Sequence, residues 1–214
     1  MRNLNDVLAE SETTQTELAS QVSKSDQHEF EGLSLGGVDV AYCNEMAHAC
    51  AVIFDIPTQS IVRREKVIVD CEFPYVPGHF YLREAPVILR LLDRFEKTMF
   101  LIDGNGVLHP RRMGLASYIG VKLDVPTIGI AKSLLHGKLS KREGNRAFIT
   151  DNGETIGSAV WLPGKKKPIF VSIGHRVSLD TAIRVAKMSS VHGYPEPLRQ
   201  AHLCANEMAR VGSQ

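Results

Sequence analysis

The chain has 214 residues, 43% of them hydrophobic and 23% charged, which is the ordinary globular range and enough for one well-buried core, so a single domain over 1–214 is expected. A formal charge of +1 excludes the strongly basic class of nucleic-acid binder, and any polyanion footprint must be local. Cys43, Cys50, Cys71 and Cys204 lack CxxC spacing, which favours reduced structural thiols. The start, MRNLNDVLAESETTQ, has no apolar signal core and no stretch reaches membrane length, so a cytoplasmic monomer without membrane contact is expected.

In chain order, residues 1–13 read as a poorly ordered lead-in, and Thr14-Gln15-Thr16-Glu17 fits a capping box opening a helix toward Val22. GGVDVAYC (36–43), AHACAVIFD (47–55) and IVRREKVIV (61–69) are short, apolar or β-branched and turn-separated, which predicts an antiparallel meander. From Glu84 to Lys97, Ile88, Leu91, Leu92 and Phe95 keep helical spacing, with Pro86 near the start. TMFLID (98–103) then reads as a strand covered on both faces, closed by Asp103 against Gly104-Asn105-Gly106. A small helix near 113–120, strands in VPTIGIAK, ETIGSAVWL and PIFVSI, and two late helices complete the pass. Ser178 suits the cap of the first late helix and Pro197 the opening turn of the second. Strands first, then alternating strands and helices, give an α/β fold with a mixed sheet flanked by helices, in ribonuclease H-like order.

Asp39 interrupts a strand of Gly, Val and Ala, and Asp103 ends an apolar one; either is costly to bury unless paired or bound to a cation. If those strands are neighbours their carboxylates converge, and Glu84, at the head of the intervening helix, reaches the same point. An oxygen-only trio suits Mg²⁺, with Mn²⁺ as a substitute, and no zinc-spaced His/Cys cluster competes. One aspartate in a strand is more often an edge residue than a ligand, so the case rests on the set. Lys132 follows the strand TIGIA, where a cation can stabilise charge developing on phosphate.

These residues sit in blocks that resemble the endonuclease V family: GGVDVAY with Asp39, FPYVPGHFYLRE ending in Glu84, DGNGVLHPRRMGLASYIG with Asp103 and His109-Pro110-Arg111, VPTIGIAKS with Lys132, and KPIFVSIGHRVSLDTA and YPEPLRQAH, the last placing a histidine at His202. The resemblance implies a ribonuclease H-like fold, Mg²⁺ dependence, and catalytic roles for Asp39, Glu84, Asp103, Lys132 and His202. It also implies recognition of deaminated purine (deoxyinosine or inosine) and hydrolysis of the second phosphodiester on its 3′ side, leaving 3′-hydroxyl and 5′-phosphate ends, as in DNA repair.

The resemblance further implies an aromatic wedge at Tyr75 within Pro74-Tyr75-Val76-Pro77, since a stiff ring can fill the gap left by an extruded base. Taken without it, Tyr75 reads as a residue packed on the core. The implied base pocket is walled by Gly78, Phe80, Gly104, Gly106, His109 and Leu135. Arg111 and Arg112, Lys138, Lys141, Arg142 and Lys165 to Lys167 are candidate phosphate contacts. His175 reads as a core or supporting residue. Asn105 and Leu198 depart from the common family form, and the HGYPEP connection is slightly short. Two rivals remain at this level: a ribonuclease for inosine-containing RNA, and a binder of damaged nucleic acid that does not cut.

Overall fold

The structure, a computed structural model, describes residues 3–27, 34–71, 73–95 and 98–212. Helix α1 (Leu4–Ala19) starts on Asn3, whose side chain accepts from the Asn5 N–H. It therefore begins ten residues before the Thr14 box, and most of the expected lead-in is helical. The Thr14 hydroxyl donates back to the Glu10 carbonyl instead of capping, a use open to threonine inside a helix. The meander follows as β1 (Ser34–Cys43), β2 (Met46–Asp55) and β3 (Ser60–Asp70).

Helix α2 (Phe80–Leu92) begins four residues before the predicted start, so Glu84 lies in its second turn and Pro86 inside it. Residues 96 and 97 of the predicted helix lie outside the described residues. Strand β4 (Phe100–Asp103), helix α3 (Leu115–Leu123) and strand β5 (Thr127–Ala131) fall where their patterns place them. Two strands escaped the sequence reading, β6 (Lys138–Leu139) and β7 (Arg146–Asp151): the first is only two residues long, and the second is a short run directly after the polar stretch Ser140 to Asn145. Strands β8 (Glu154–Val160) and β9 (Ile169–His175) precede α4 (Leu179–Met188), where the Ser178 hydroxyl accepts from the Thr181 N–H as expected, and α5 (Glu196–Val211).

All nine strands join one sheet, in the order β3-β2-β1-β4-β5-β9-β8-β7-β6. The pairs β1/β4 and β4/β5 are parallel and the others antiparallel, so the expected mixed α/β sheet flanked by helices is what the chain forms. Side-chain alternation splits the core: Val38, Val40 and Ile102 pack under α2 and α3, whereas Leu35, Leu101, Ile128 and Ile130 face α4 and the start of α5. Cys50 on β2 and Cys204 on α5 form a disulfide with Cα atoms 6.0 Å apart, which corrects the expectation of reduced thiols for this pair; Cys43 and Cys71 are in no disulfide. Spacing along the chain gave no sign of it, because the bond spans 154 residues.

Candidate active site

The site lies where the two parallel strands end. Residues Gly36 to Val38 pair in register with Phe100 to Ile102, and the next step along both strands brings Asp39 beside Asp103. Strand β5 continues the row, with Ile130 opposite Asp103, and two residues further Lys132 sends Nζ to within 2.8 Å of Asp103 Oδ2. Helix α5 crosses β1 at Gly37, where a Cβ would stand 2.4 Å from the Pro197 backbone, so only glycine admits so close a crossing. That crossing delivers His202, five residues on, to Asp39: the Nδ1 to Oδ2 distance is 2.8 Å. Glu84 approaches from α2 and accepts from the Tyr42 hydroxyl at 3.2 Å.

The electrostatics follow from crowding. Glu84 is 6% exposed, and burial together with the neighbouring Asp39 charge pushes its carboxyl well above the ordinary range. Burial and Asp103 push Asp39 up as well, against the opposing pull of His202. Two crowded carboxylates resisting ionisation mark a place short of positive charge, and an all-oxygen donor set is the kind hard divalent cations take. Among the described residues, no group of three or more His, Cys, Asp or Glu side chains is arranged as a ready ligand cage. Asp39 Oδ2 is held on His202 and Asp103 Oδ2 on Lys132.

A cleft of about 500 Å³ opens over this row. Of the sequence-derived residues, Asp39, Glu84, Asp103, Lys132, His202, Tyr75, Gly78, Phe80, Gly104, His109 and Leu135 all line it. Tyr75 is 64% exposed and meets Phe80 edge-on at 5.6 Å, so it does not pack into the core. The His109 ring hydrogen-bonds the Gly78 backbone, and burial and Arg111 lower its pKa to about 4, leaving a neutral imidazole in the wall.

Gly106 and Arg111 are not brought to the cleft. The Gly106 N–H donates to Ser172 Oγ at 2.9 Å, and a Cβ there would meet the Ile173 carbonyl oxygen at 1.9 Å, so this glycine serves close packing on β9. Arg111 is committed to Glu12, Gln15 and Gly78, and Arg112 to Asp151 and Glu154. Lys138, Lys141, Arg142 and Lys165 to Lys167 stay exposed. His175 is 5% exposed, accepts from the Ser23 N–H and approaches Asp124, in keeping with a supporting role.

Sequence reasoning missed Gln15, Tyr42, Asn206 and Tyr194. Asn206 lies one turn after His202 and donates to its carbonyl. The Tyr194 hydroxyl is buried without a hydrogen-bond partner among the described residues, and burial and Asp103 raise its pKa. A tyrosine in a strand or loop carries no local pattern, so neither tyrosine had a signal in the sequence.

The family model for Endonuclease V matches residues 16–203 of this chain. The chain belongs to the endonuclease V family. An Endonuclease V of Dictyoglomus turgidum is 39% identical over 201 residues, covering 91% of this chain and 87% of the relative. That of Thermofilum pendens is 42% identical over 178 residues, covering 81% and 77%. The catalytic domain of human Endonuclease V superposes with a TM-score of 0.90 at 31% identity, covering 99% of this chain and all of that one. Ciona intestinalis Endonuclease V, solved with a 24mer DNA containing an inosine followed by a ribo-adenosine, gives 0.88 at 31% identity, covering 97% and 99%. Membership makes the protein a nuclease, as the carboxylate row suggested. Among the described residues no helix is long and apolar enough to cross a membrane.

Proposed function

We propose that this endonuclease V recognises a deaminated purine, deoxyinosine or inosine, and hydrolyses the second phosphodiester on its 3′ side, leaving 3′-hydroxyl and 5′-phosphate ends in the service of DNA repair. The observation that carries this reading is the row Asp39, Asp103 and Lys132, with Glu84 and His202 facing it, along the floor of a cleft whose rim holds the exposed Tyr75. One chain furnishes every residue of this set, as suits a monomer.

Asp39, Glu84 and Asp103 are the residues that would hold Mg²⁺, or Mn²⁺ in its place, and a divalent cation there supplies Lewis-acid polarisation of the scissile phosphate and a more acidic water. Lys132 lines the cleft floor with its ammonium group beside Asp103, and its charge offsets charge developing on the leaving oxygen. His202, half exposed and paired with Asp39, is positioned to hold or relay a proton. Tyr75 would take the space of an extruded base, offsetting part of an unstacking cost of roughly a few kcal/mol. The base would enter between Gly78, Phe80, Gly104, His109 and Leu135, where hypoxanthine offers O6 and N1–H in place of adenine's amino group and acceptor nitrogen.

The test is incubation with Mg²⁺ and end-labelled DNA strands carrying one inosine, beside the same strands in RNA and adenine controls. A nick two phosphodiesters from the inosine is expected. Binding without any nick, or cutting indifferent to inosine, would overturn the reading. The inosine-bound strand of the Ciona protein carries a ribonucleotide next to the lesion, which makes the RNA arm informative: cutting confined to RNA would replace DNA repair with an RNA-directed role.

A further inference from the structure

Helix α1 buries only Ser11 and Gln15, both polar, whereas a helix kept for its contribution to a core presents an apolar stripe. Gln15 lines the cleft, and Ser11 reaches His79, which sits between the lining residues Gly78 and Phe80. Gln15 is 1% exposed and uses both ends of its amide: Nε2 donates to the Met113 carbonyl at 2.7 Å, and Oε1 accepts from Arg111 Nε at 2.7 Å. Ser11 Oγ stands 2.8 Å from His79 Nδ1. The Arg111 fork then spans three segments at once. Nη1 donates to Glu12 Oε1 at 2.9 Å, and Nη2 donates to the Gly78 carbonyl at 2.8 Å, with His79 Nε2 at 3.4 Å. Gly78 sits at φ +79, the left-handed region, and ends the short loop that begins at Tyr75.

We propose that α1 and Arg111 form a strut that fixes the Tyr75–Gly78 loop against the cleft, which makes Gln15 and Arg111 positioning residues for lesion selectivity. This rests on the lesion-reading function argued above. A guanidinium whose Nε, Nη1 and Nη2 each already donate, to Gln15, Glu12 and Gly78, spends most of its five N–H groups on holding neighbouring segments together and acts as a scaffold group. The planar fork matters as much as the charge, since lysine cannot hold three acceptors in these directions. A loop carrying a wedge discriminates only if the ring is held still; a loosened loop still lets strands in but no longer penalises an undamaged base.

The experiment compares kcat and KM on inosine and adenosine strands for the parent, Gln15→Leu, Arg111→Lys and Tyr75→Ala, and for each strut variant combined with Tyr75→Ala. Gln15→Leu and Arg111→Lys should each lower the inosine-to-adenosine selectivity about tenfold, through KM more than kcat. Neither should lower it further once Tyr75 is alanine, because the strut acts through that ring. Gln15→Leu removes no charge and is the arm that counts if Arg111→Lys fails to fold. Selectivity kept in Gln15→Leu, or losses that add to that of Tyr75→Ala, overturns the strut. A fall of about one in the log–log salt slope with Arg111→Gln, the mark of a lost phosphate contact, overturns it too. If the parent itself fails to discriminate, the lesion reading fails and takes the strut with it; a discriminating parent with equally discriminating variants removes the strut alone.

Discussion

His202 Nδ1 stands 2.8 Å from Asp39 Oδ2, tying the last helix to the first strand across 163 residues. Gly37 permits the tie by letting α5 cross β1 at backbone contact. If the pair handles a proton at the reacting phosphate, His202→Ala lowers kcat by about 10²- to 10³-fold, within the usual span for a positioned acid or base. Strand affinity stays close to that of the parent, since His202 lies on the floor and not at the rim. Single-turnover cleavage with saturating enzyme measures this, and an unchanged rate would reduce the pair to a structural latch.

Glu84 carries the strongest conflict in the site, a buried carboxyl pushed up by desolvation and by Asp39. A folded-state pKa above the unfolded one contributes stability below the unfolded value of 4.5, and that contribution is lost as pH rises through the folded value. Chelator-treated protein should therefore melt lower at pH 8 than its other groups would dictate. Glu84→Gln removes the ionisation and should raise stability at pH 8 by about 1–2 kcal/mol while abolishing cleavage. Added Mn²⁺ should raise the melting temperature of the parent more at pH 8 than at pH 5, and that of the variant far less. A Glu84→Gln protein less stable than the parent at pH 8 would contradict the buried-charge account.

His109 shifts stability in the opposite direction. Burial and Arg111 hold its folded pKa at about 4 against 6.5 unfolded, so its contribution is fully present above pH 6.5 and is lost as pH falls through about 4. For a ring 3% exposed, that displacement corresponds to ~3 kcal/mol. His79 and His175, also lowered by burial, add in the same direction. Urea unfolding at pH 7, 6 and 5 should show a steady loss that His109→Gln flattens; parallel slopes in the two proteins would mean that His109 is not the group responsible.

The Tyr75 ring, 64% exposed on a proline-flanked loop, has nothing in the core to lose. Tyr75→Ala should leave the melting temperature within about a degree of the parent, as ordinary surface substitutions do. Preference for inosine over adenosine strands should fall about tenfold, in line with the roughly 1–3 kcal/mol that stacking a base on an aromatic ring contributes. Measured kcat/KM on both strands decides it, and an equal ratio in variant and parent would remove the wedge.

How much of this was legible in the chain depends on where the information sits. Asp39 and Asp103 stood out because each breaks an apolar strand, and parallel pairing of those strands then does the geometric work. Glu84 was found with its helix placed four residues late, since Phe80 to Arg83 carry too little periodicity to mark the true start. Local patterns could not reveal the Cys50–Cys204 bond, the Arg111 fork or the burial of Gln15, because each is a contact between segments far apart in the chain, from 33 residues for Arg111 and Gly78 to 154 for the disulfide. Gly106 looked like a pocket wall for the same reason: its neighbour is β9, far along the chain.

The two glycines therefore separate by experiment. A Cβ at position 106 would press on the Ile173 carbonyl at 1.9 Å, a contact with backbone on the central sheet that no rotamer change relieves. Gly106→Ala should cost about 3 kcal/mol or more, in the range where overpacking and backbone displacement combine. At position 78 the new Cβ meets only the end of the Arg111 side chain, at 3.3 Å, and the main cost is the φ of +79. Gly78→Ala should thus cost about 1 kcal/mol of stability. Its larger effect should fall on discrimination, because the carbonyl that Arg111 and His109 grip moves with the strained backbone. Denaturant melts and paired kcat/KM values on inosine and adenosine strands separate the two outcomes. Equal stability losses in the two variants would mean that Gly106 is not wedged against β9.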